Sequence, residues 1–122
     1  MRQKRTGLKR VGNATVNSIN GLFAAFKSEA ALRQEAVVFV GLMSLLLVID
    51  ISRTELLFLV FSLVLVFITE LMNTAVEVLA DRVSTETHAL TGKCKDIASA
   101  AVFVSILLAV FTWITVLFGA LN

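Results

Sequence analysis

The sequence predicts an all-α integral membrane protein in which three transmembrane helices follow one amphipathic surface helix. Hydrophobic residues make up 57% of its 122 residues, and proline is absent. The mean hydropathy of +0.88 lies far above the range of soluble globular chains. Residues 97–121 carry no charged side chain at all. A chain of this length forms one domain at most, so we treat residues 1–122 as a single membrane-embedded domain.

The first element is an amphipathic helix over residues 7–27. Leu8, Val11, Ile19 and Leu22 recur near helical spacing, while cationic and amide side chains occupy much of the remainder. We expect this helix to lie on the cytosolic surface of the membrane. The alternative is a plain amphipathic anchor with no further role.

Two short apolar runs supply the first and second transmembrane helices. Residues 36–49 and 56–69 are each shorter than the roughly 20 residues that a span needs. Extending the first run backward gives a helix over residues 30–50, and extending the second forward gives one over residues 54–82. Both extensions add polar residues at the same end of the molecule, so we expect those residues to meet there.

A helix-start signal separates these two spans. Ser52 and Glu55 have the S-x-x-E spacing of a capping box, in which each side chain bonds a backbone amide of the other residue. The pair predicts a tight turn and the beginning of the second span.

The third transmembrane helix is predicted over residues 92–121. At about 1.5 Å per residue, its uncharged part alone exceeds the roughly 30 Å hydrocarbon core. Trp113 falls toward its outer half, where an indole at the membrane interface is the ordinary expectation.

The positive charges predict the orientation. Of eleven Lys and Arg residues, seven precede residue 34, three lie between the second and third spans and one lies in the first loop. The N-terminus and second loop are therefore expected in the cytosol, and the C-terminus outside. The basic residues sit in short membrane-flanking segments without a nucleic-acid recognition motif, so lipid headgroups are the expected acidic partner.

A polar stripe continues directly from the second apolar run. Glu70, Asn73, Glu77 and Asp81 fall within an arc of about 80° on one helix face. Fourteen uncharged residues precede Glu70, and an ionised group in hydrocarbon costs at least a few kcal/mol, so Glu70 is a functional candidate. Plain solvation at a helix end is the alternative for Asp81, Glu77 and Glu70.

Further charged residues lie on the same predicted cytosolic side. Glu29 and Glu77 can share a divalent cation such as magnesium, which binds one or two carboxylates together with water and phosphate. Lys95, followed by Asp96, can reach a nucleotide phosphate, although lysine there also marks topology. The chain lacks the second glycine of a P-loop and the motifs of soluble protein kinases, so phosphoryl transfer would need another design.

Three segments resemble the bacterial membrane diacylglycerol kinase family over nearly the whole chain. They are EAALRQE at 29–35, ELMNTAVEVLADRV at 70–83 and HALTGKCKDIASAAV at 88–102. The resemblance implies a homotrimer in the bacterial inner membrane. It also implies transfer of the γ-phosphate of MgATP to the free hydroxyl of diacylglycerol, which gives phosphatidic acid.

The same resemblance implies roles for individual residues. Glu70 would be the general base on the lipid hydroxyl, Asn73 would order the site, and Glu29 and Glu77 would bind magnesium. The implied nucleotide contacts are Arg10, Glu29, Glu77, Glu86, His88, Lys95 and Asp96. The implied lipid contacts are Arg10, Arg33, Gln34, Glu35, Glu70, Ser99 and Trp113.

Three other functions are alternatives to this one. A kinase of the same family acting on undecaprenol would share the catalytic residues, but RQE at 33–35 and TGKCKDIASAA at 91–101 resemble the diacylglycerol branch more closely. A small proton-coupled transporter would use Glu70 but would leave Glu29, Glu77 and Lys95 unexplained. A purely structural helical hairpin would need no acid at membrane depth. No protein partner and no nucleic acid are expected.

Overall fold

The computed structural model describes residues 7–83 and 89–121, which form four helices. These are α1 (Gly7–Ser28), α2 (Ala30–Leu45), α3 (Arg53–Val83) and α4 (Ala89–Leu121). Within the described ranges there is no β-strand. The all-α prediction is confirmed.

The helix ends lie within one residue of the predicted ones, except at the end of α2 and the start of α4. The helix α2 ends at Leu45, five residues before the predicted end, and α4 begins at Ala89, three residues before the predicted start. Beyond α2 the amides of Leu46, Leu47 and Val48 bond carbonyls three residues back, at 3.1–3.2 Å. That pattern tightens the chain into a 3₁₀-like turn. The apolar character of residues 46–49 therefore does not lengthen the α-helix.

Two helices of the described chain are long and apolar enough to cross a membrane. They are α3 and the Ala89–Gly119 part of α4, each with 31 residues. The helix α2 has 16 residues, which rise only about 24 Å and fall short of a hydrocarbon core of roughly 30 Å. A third span, the surface location of α1 and the trimer stay predictions.

The helices α3 and α4 form an antiparallel hairpin that supplies most of the tertiary contacts. Val102, Ser105, Ala109 and Trp113 are buried on α4 at spacings of three and four, which makes one continuous face. The corresponding face of α3 is lined by Leu59, Ser62, Leu63 and Val66.

Among the residues that the structure describes, polar contacts join this hairpin at three levels. Near one end, Trp113 Nε1 donates to Ser62 Oγ at 3.2 Å. In the middle, the Thr69 and Ser105 hydroxyl oxygens lie 2.8 Å apart. At the other end, Lys95 and Asp81 form an ion pair. The residue numbers rise on one helix as they fall on the other, so one antiparallel register accounts for the three contacts.

Trp113 differs from the sequence-based expectation of an interfacial indole. Its side chain is 6% exposed and packs with Leu46, Leu59 and Leu63 in the hydrophobic core. A buried indole N–H needs an acceptor. Because Ser62 supplies one inside the hairpin, the ring does not have to reach lipid headgroups.

The two N-terminal helices attach to α3 through aromatic contacts. The ring of Phe67 lies 5.7 Å from that of Phe26 at the end of α1. It lies 6.3 Å from that of Phe39 on α2. Elsewhere α1 packs loosely, and Ala25 is its one buried residue. A groove of about 780 Å³ lies between α1 and α3. A second groove, of about 430 Å³, runs along the α3–α4 seam.

The predicted capping box is confirmed at the start of α3. The Glu55 amide donates to Ser52 Oγ at 3.1 Å, and the Ser52 amide donates to Glu55 Oε1 at 3.0 Å. Each side chain thus satisfies an amide that the first turn leaves without a helical acceptor.

Loss of this cap should destabilise the hairpin. We expect Ser52→Ala to lower the free energy of unfolding by about 1 kcal/mol, because a helix N-terminal amide loses its acceptor. Unfolding in mixed detergent and dodecyl sulfate micelles measures the change. Ser52→Thr keeps the hydroxyl and should retain most of the stability. Equal stability of the Ala and Thr variants at the wild-type level would show that the cap contributes nothing.

Candidate active site

The polar stripe lies on one unbroken helix, α3. Glu70, Asn73 and Glu77 are half-buried, whereas the Asp81 side chain is 67% exposed. Because α3 is continuous over these residues, the stripe leads from the interior of the protein to its surface. Asn73 Nδ2 donates to Glu77 Oε1 at 3.2 Å, which orients the Glu77 carboxylate. Asn73 Oδ1 is buried without a hydrogen-bond partner in the described chain.

The predicted magnesium ligands lie around Glu70. Glu29 and Glu77 both act electrostatically on the Glu70 carboxyl group. Glu29 stands at the break between α1 and α2, where its backbone is extended and its side chain makes no capping hydrogen bond. Acidic groups that act on one another in this way favour a cation nearby.

The side chains of Glu29, Glu70 and Glu77 are nevertheless too far apart to enclose a metal ion by themselves. Among residues 7–83 and 89–121, no three His, Cys, Asp or Glu side chains lie close enough together to coordinate one ion. A magnesium ion usually takes most of its ligands from water and from nucleotide phosphates and needs only one or two carboxylates. Magnesium binding by Glu29 and Glu77 therefore stays a prediction.

A groove of about 310 Å³ opens beside Glu70. Gln34 and Glu35 on α2 and Glu70 on α3 supply its polar groups, and most of the other lining residues are apolar. Both carboxylate oxygens of Glu35 are buried without a hydrogen bond of ordinary geometry in the described chain. The Glu70 carboxyl group is its electrostatic neighbour. An apolar groove with polar groups gathered on one part of its wall suits an amphiphile with a hydroxyl headgroup.

The expected nucleotide contacts are only partly brought together. Lys95 pairs with Asp81, so it lies at the exposed end of the stripe. Asp96 and Ser99 follow on α4 and are exposed. Glu86 and His88 lie outside the described residues.

Arg10 lies well away from Glu29 along the chain. It is exposed near the start of α1, and 18 residues of continuous helix separate it from Ser28. That separation corresponds to about 27 Å of rise. The single chain therefore does not bring Arg10 beside Glu29, and its predicted contacts with nucleotide and lipid stay predictions.

Arg33 has a local structural partner that the sequence did not reveal. Its Nη1 donates to the carbonyl oxygens of Phe26 and Lys27 in the last turn of α1. The final carbonyls of a helix have no helical donor, and a cation there also complements the helix dipole. Arg33 thus caps α1, while its predicted lipid contact stays a prediction.

Two predicted lipid contacts lie apart from the Glu70 groove. Trp113 is buried against Ser62, which stands eight residues before Glu70 and therefore about 12 Å away along α3. Ser99 is exposed on α4. The wall that α4 gives to the groove consists instead of Ile106, Ala109 and Val110, none of which is a predicted site residue.

The match to known proteins covers almost the whole chain. The model of the family described as prokaryotic diacylglycerol kinase matches residues 16–117. The chain belongs to this family. It is 44% identical to a diacylglycerol kinase of Pseudomonas aeruginosa over 115 residues, which are 94% of each chain.

Other relatives of the diacylglycerol kinase family agree with this assignment. Identity is 38% to a diacylglycerol kinase of Haemophilus influenzae, over 94% of this chain and 98% of the relative. It is also 38% to a diacylglycerol kinase of Escherichia coli K12, over 98% of both chains. The family resemblance and the prediction of an ATP-dependent diacylglycerol kinase are confirmed at the level of the family.

The cap formed by Arg33 predicts a local effect of substitution. We expect Arg33→Ala to speed amide hydrogen exchange about two- to fivefold in the last turn of α1, because its carbonyls lose a charged donor. Exchange measured by mass spectrometry on peptides covering residues 20–29 tests this. Lys27→Ala removes an exposed cation from the same turn and serves as the control. Unchanged exchange in the Arg33 variant would contradict the capping role.

Proposed function

We propose that this protein transfers the γ-phosphate of MgATP to the free hydroxyl of diacylglycerol and so forms phosphatidic acid. Family membership supports a lipid kinase. The observation that carries the proposal is the groove that Glu35 and Glu70 share, since it offers an apolar surface beside two carboxyl groups. Asn73 and Glu77 extend the polar surface from this groove toward Asp81 and Lys95.

Glu70 is the proposed general base. In the proposed step its carboxylate takes the proton of the lipid hydroxyl while the hydroxyl oxygen forms a bond to the γ-phosphorus. The bond from that phosphorus to the bridging oxygen of ATP breaks, and ADP leaves. Such transfer depends chiefly on positioning and on stabilisation of charge. Gln34 and Glu35 would hold the glycerol headgroup, because both line the groove next to Glu70.

Glu29 and Glu77 are the proposed magnesium ligands. A bound magnesium ion would neutralise charge on the β- and γ-phosphates of ATP. Asn73 would fix the Glu77 carboxylate through its amide hydrogen bond. Its buried Oδ1, which has no partner in the described chain, is available to accept a hydrogen bond from a bound water.

Lys95 and Asp96 are proposed to contact the nucleotide. Lys95 is partly exposed and held by Asp81, so a phosphate can compete for its ammonium group. An exposed ion pair of this kind contributes little to stability, so its exchange for a phosphate contact costs the fold little. The proposed contacts of Arg10, Glu86 and His88 complete this set.

The proposed enzyme is a homotrimer in the bacterial inner membrane with its active site on the cytosolic side. Many large apolar side chains of α3 and α4 are exposed in the single chain. They would face lipid tails or neighbouring subunits. The distribution of Lys and Arg supports a cytosolic N-terminus and an external C-terminus.

The base role makes a sharp prediction for Glu70. We expect Glu70→Gln to lower kcat by about 10²- to 10⁴-fold, which is the usual contribution of a general base. The assay follows labelled phosphate from MgATP into diacylglycerol in mixed micelles, with undecaprenol as the parallel acceptor. Glu55→Gln is the control, because glutamine also serves in a capping box.

Each outcome of this assay bears on a separate part of the proposal. Equal turnover by wild type and Glu70→Gln would remove Glu70 from the base role. Faster labelling of undecaprenol than of diacylglycerol would reassign the lipid substrate and leave the carboxylates in place.

The metal role is tested through the magnesium requirement. We expect Glu77→Gln to raise the magnesium concentration for half-maximal activity about tenfold or more, since a charged oxygen ligand is lost. Glu29→Gln should shift the titration in the same direction. Asp50→Asn changes an exposed acid in the turn between α2 and α3 and should leave the titration unchanged. A titration of Glu77→Gln that overlays the wild type would exclude Glu77 as a ligand.

A further inference from the structure

A hydroxyl pair lies in the α3–α4 seam directly beside the proposed base. Thr69 Oγ1 and Ser105 Oγ are 2.8 Å apart, and Ser105 is 4% exposed. Thr69 Oγ1 also lies 2.8 Å from the carbonyl oxygen of Val66. Ser105 Oγ lies 2.7 Å from that of Val102.

Each of the two hydroxyl groups has a second possible acceptor, the backbone carbonyl of its own helix, besides the other hydroxyl. Two hydroxyl groups hold two protons, but three short contacts connect them with each other and with the two carbonyls. One hydroxyl therefore donates across the seam while the other donates to its own helix. If either hydroxyl is removed, the remaining one can still donate to the carbonyl of its own helix.

The pair sits between two grooves of the hairpin. Thr69 and Ser105 line a groove of about 430 Å³ on one side of the seam. Their next neighbours in sequence, Glu70 and Ile106, line the groove of about 310 Å³ on the other side. The bond thus joins the two helices at the residues that immediately precede Glu70 on α3 and Ile106 on α4.

We propose that the Thr69–Ser105 hydrogen bond positions the Glu70 carboxylate against the α4 wall of its groove. This inference rests on the proposed function, because it assigns a purpose to the placement of the base. Thr69 and Ser105 are positioning residues and do not contact the reacting atoms. Small displacements of a catalytic group lower the rate steeply, and the bond fixes the rotation and height of α3 against α4 at this level.

The spare acceptors separate a positioning role from a stabilising one. Thr69→Val or Ser105→Ala removes the bond across the seam but leaves the remaining hydroxyl bonded to its own helix. Stability should therefore change little, since no buried donor loses its partner. Catalysis should change more, because the helices are no longer held in one arrangement at Glu70.

The experiment compares these variants as full-length protein in diacylglycerol mixed micelles. We expect Thr69→Val and Ser105→Ala each to lower kcat about fivefold while the KM for ATP stays within about twofold of wild type. The kcat of the double variant should be no lower than that of the less active single variant, because both substitutions remove the same bond. Thr69→Ser keeps the hydroxyl, so its kcat should equal that of the wild type.

Ser62→Ala provides the matched control in the same seam. It removes the acceptor of the buried Trp113 N–H, so it should lower the thermal midpoint without lowering kcat of the folded enzyme. Wild-type kcat in both Thr69→Val and Ser105→Ala would overturn the positioning role. An equally low kcat in Thr69→Ser would also overturn it, because that variant keeps the hydroxyl. So would a fall in kcat that is fully explained by a loss of folded protein.

Glu70→Gln is measured in parallel to separate this inference from the proposed function. If Glu70→Gln retains full activity, the base assignment fails, and the positioning role fails with it. If Glu70→Gln is inactive while the hydroxyl variants keep full kcat, the positioning role alone fails.

Discussion

The packing of α3 against α4 is the constraint on which the rest of the molecule depends. A carboxylate at apolar depth is tolerated where protein surrounds it or where it lines a polar cavity. Glu70 meets that condition because the hairpin and α2 together enclose one side of its groove. Contacts at Ser62, Thr69 and Asp81 fix the antiparallel register. That register decides which α4 residues face the acid.

Helical spacing predicted much of the fold and part of the site. The capping box of Ser52 and Glu55, the continuity of α3 and the common face of Glu70, Asn73 and Glu77 all follow from contacts within one helix. Such contacts depend on fixed geometry of 3.6 residues per turn. Local sequence is therefore sufficient to predict them.

Contacts between helices were not predictable in the same way. Spacing identifies the buried face of a helix but not the residue that meets it. An indole in an apolar helix can bond a headgroup or a neighbouring hydroxyl, and Trp113 takes the hydroxyl of Ser62. Arg33 likewise resembles a topology marker until the end of α1 is placed beside it. The polar residues Thr69 and Ser105 within apolar helices were the available signal for the central contact of the seam.

The groove beside Glu70 also constrains how the protein is made. Its wall combines Gln34 and Glu35 from the first third of the chain with Ile106 and Val110 from the last. Ribosomal synthesis delivers α2 and α3 before α4, so the groove lacks its α4 wall until the last helix is made. Glu35 therefore lacks the α4 part of its surroundings until that point. The site is consequently completed late in folding, when α4 packs beside α2 and α3.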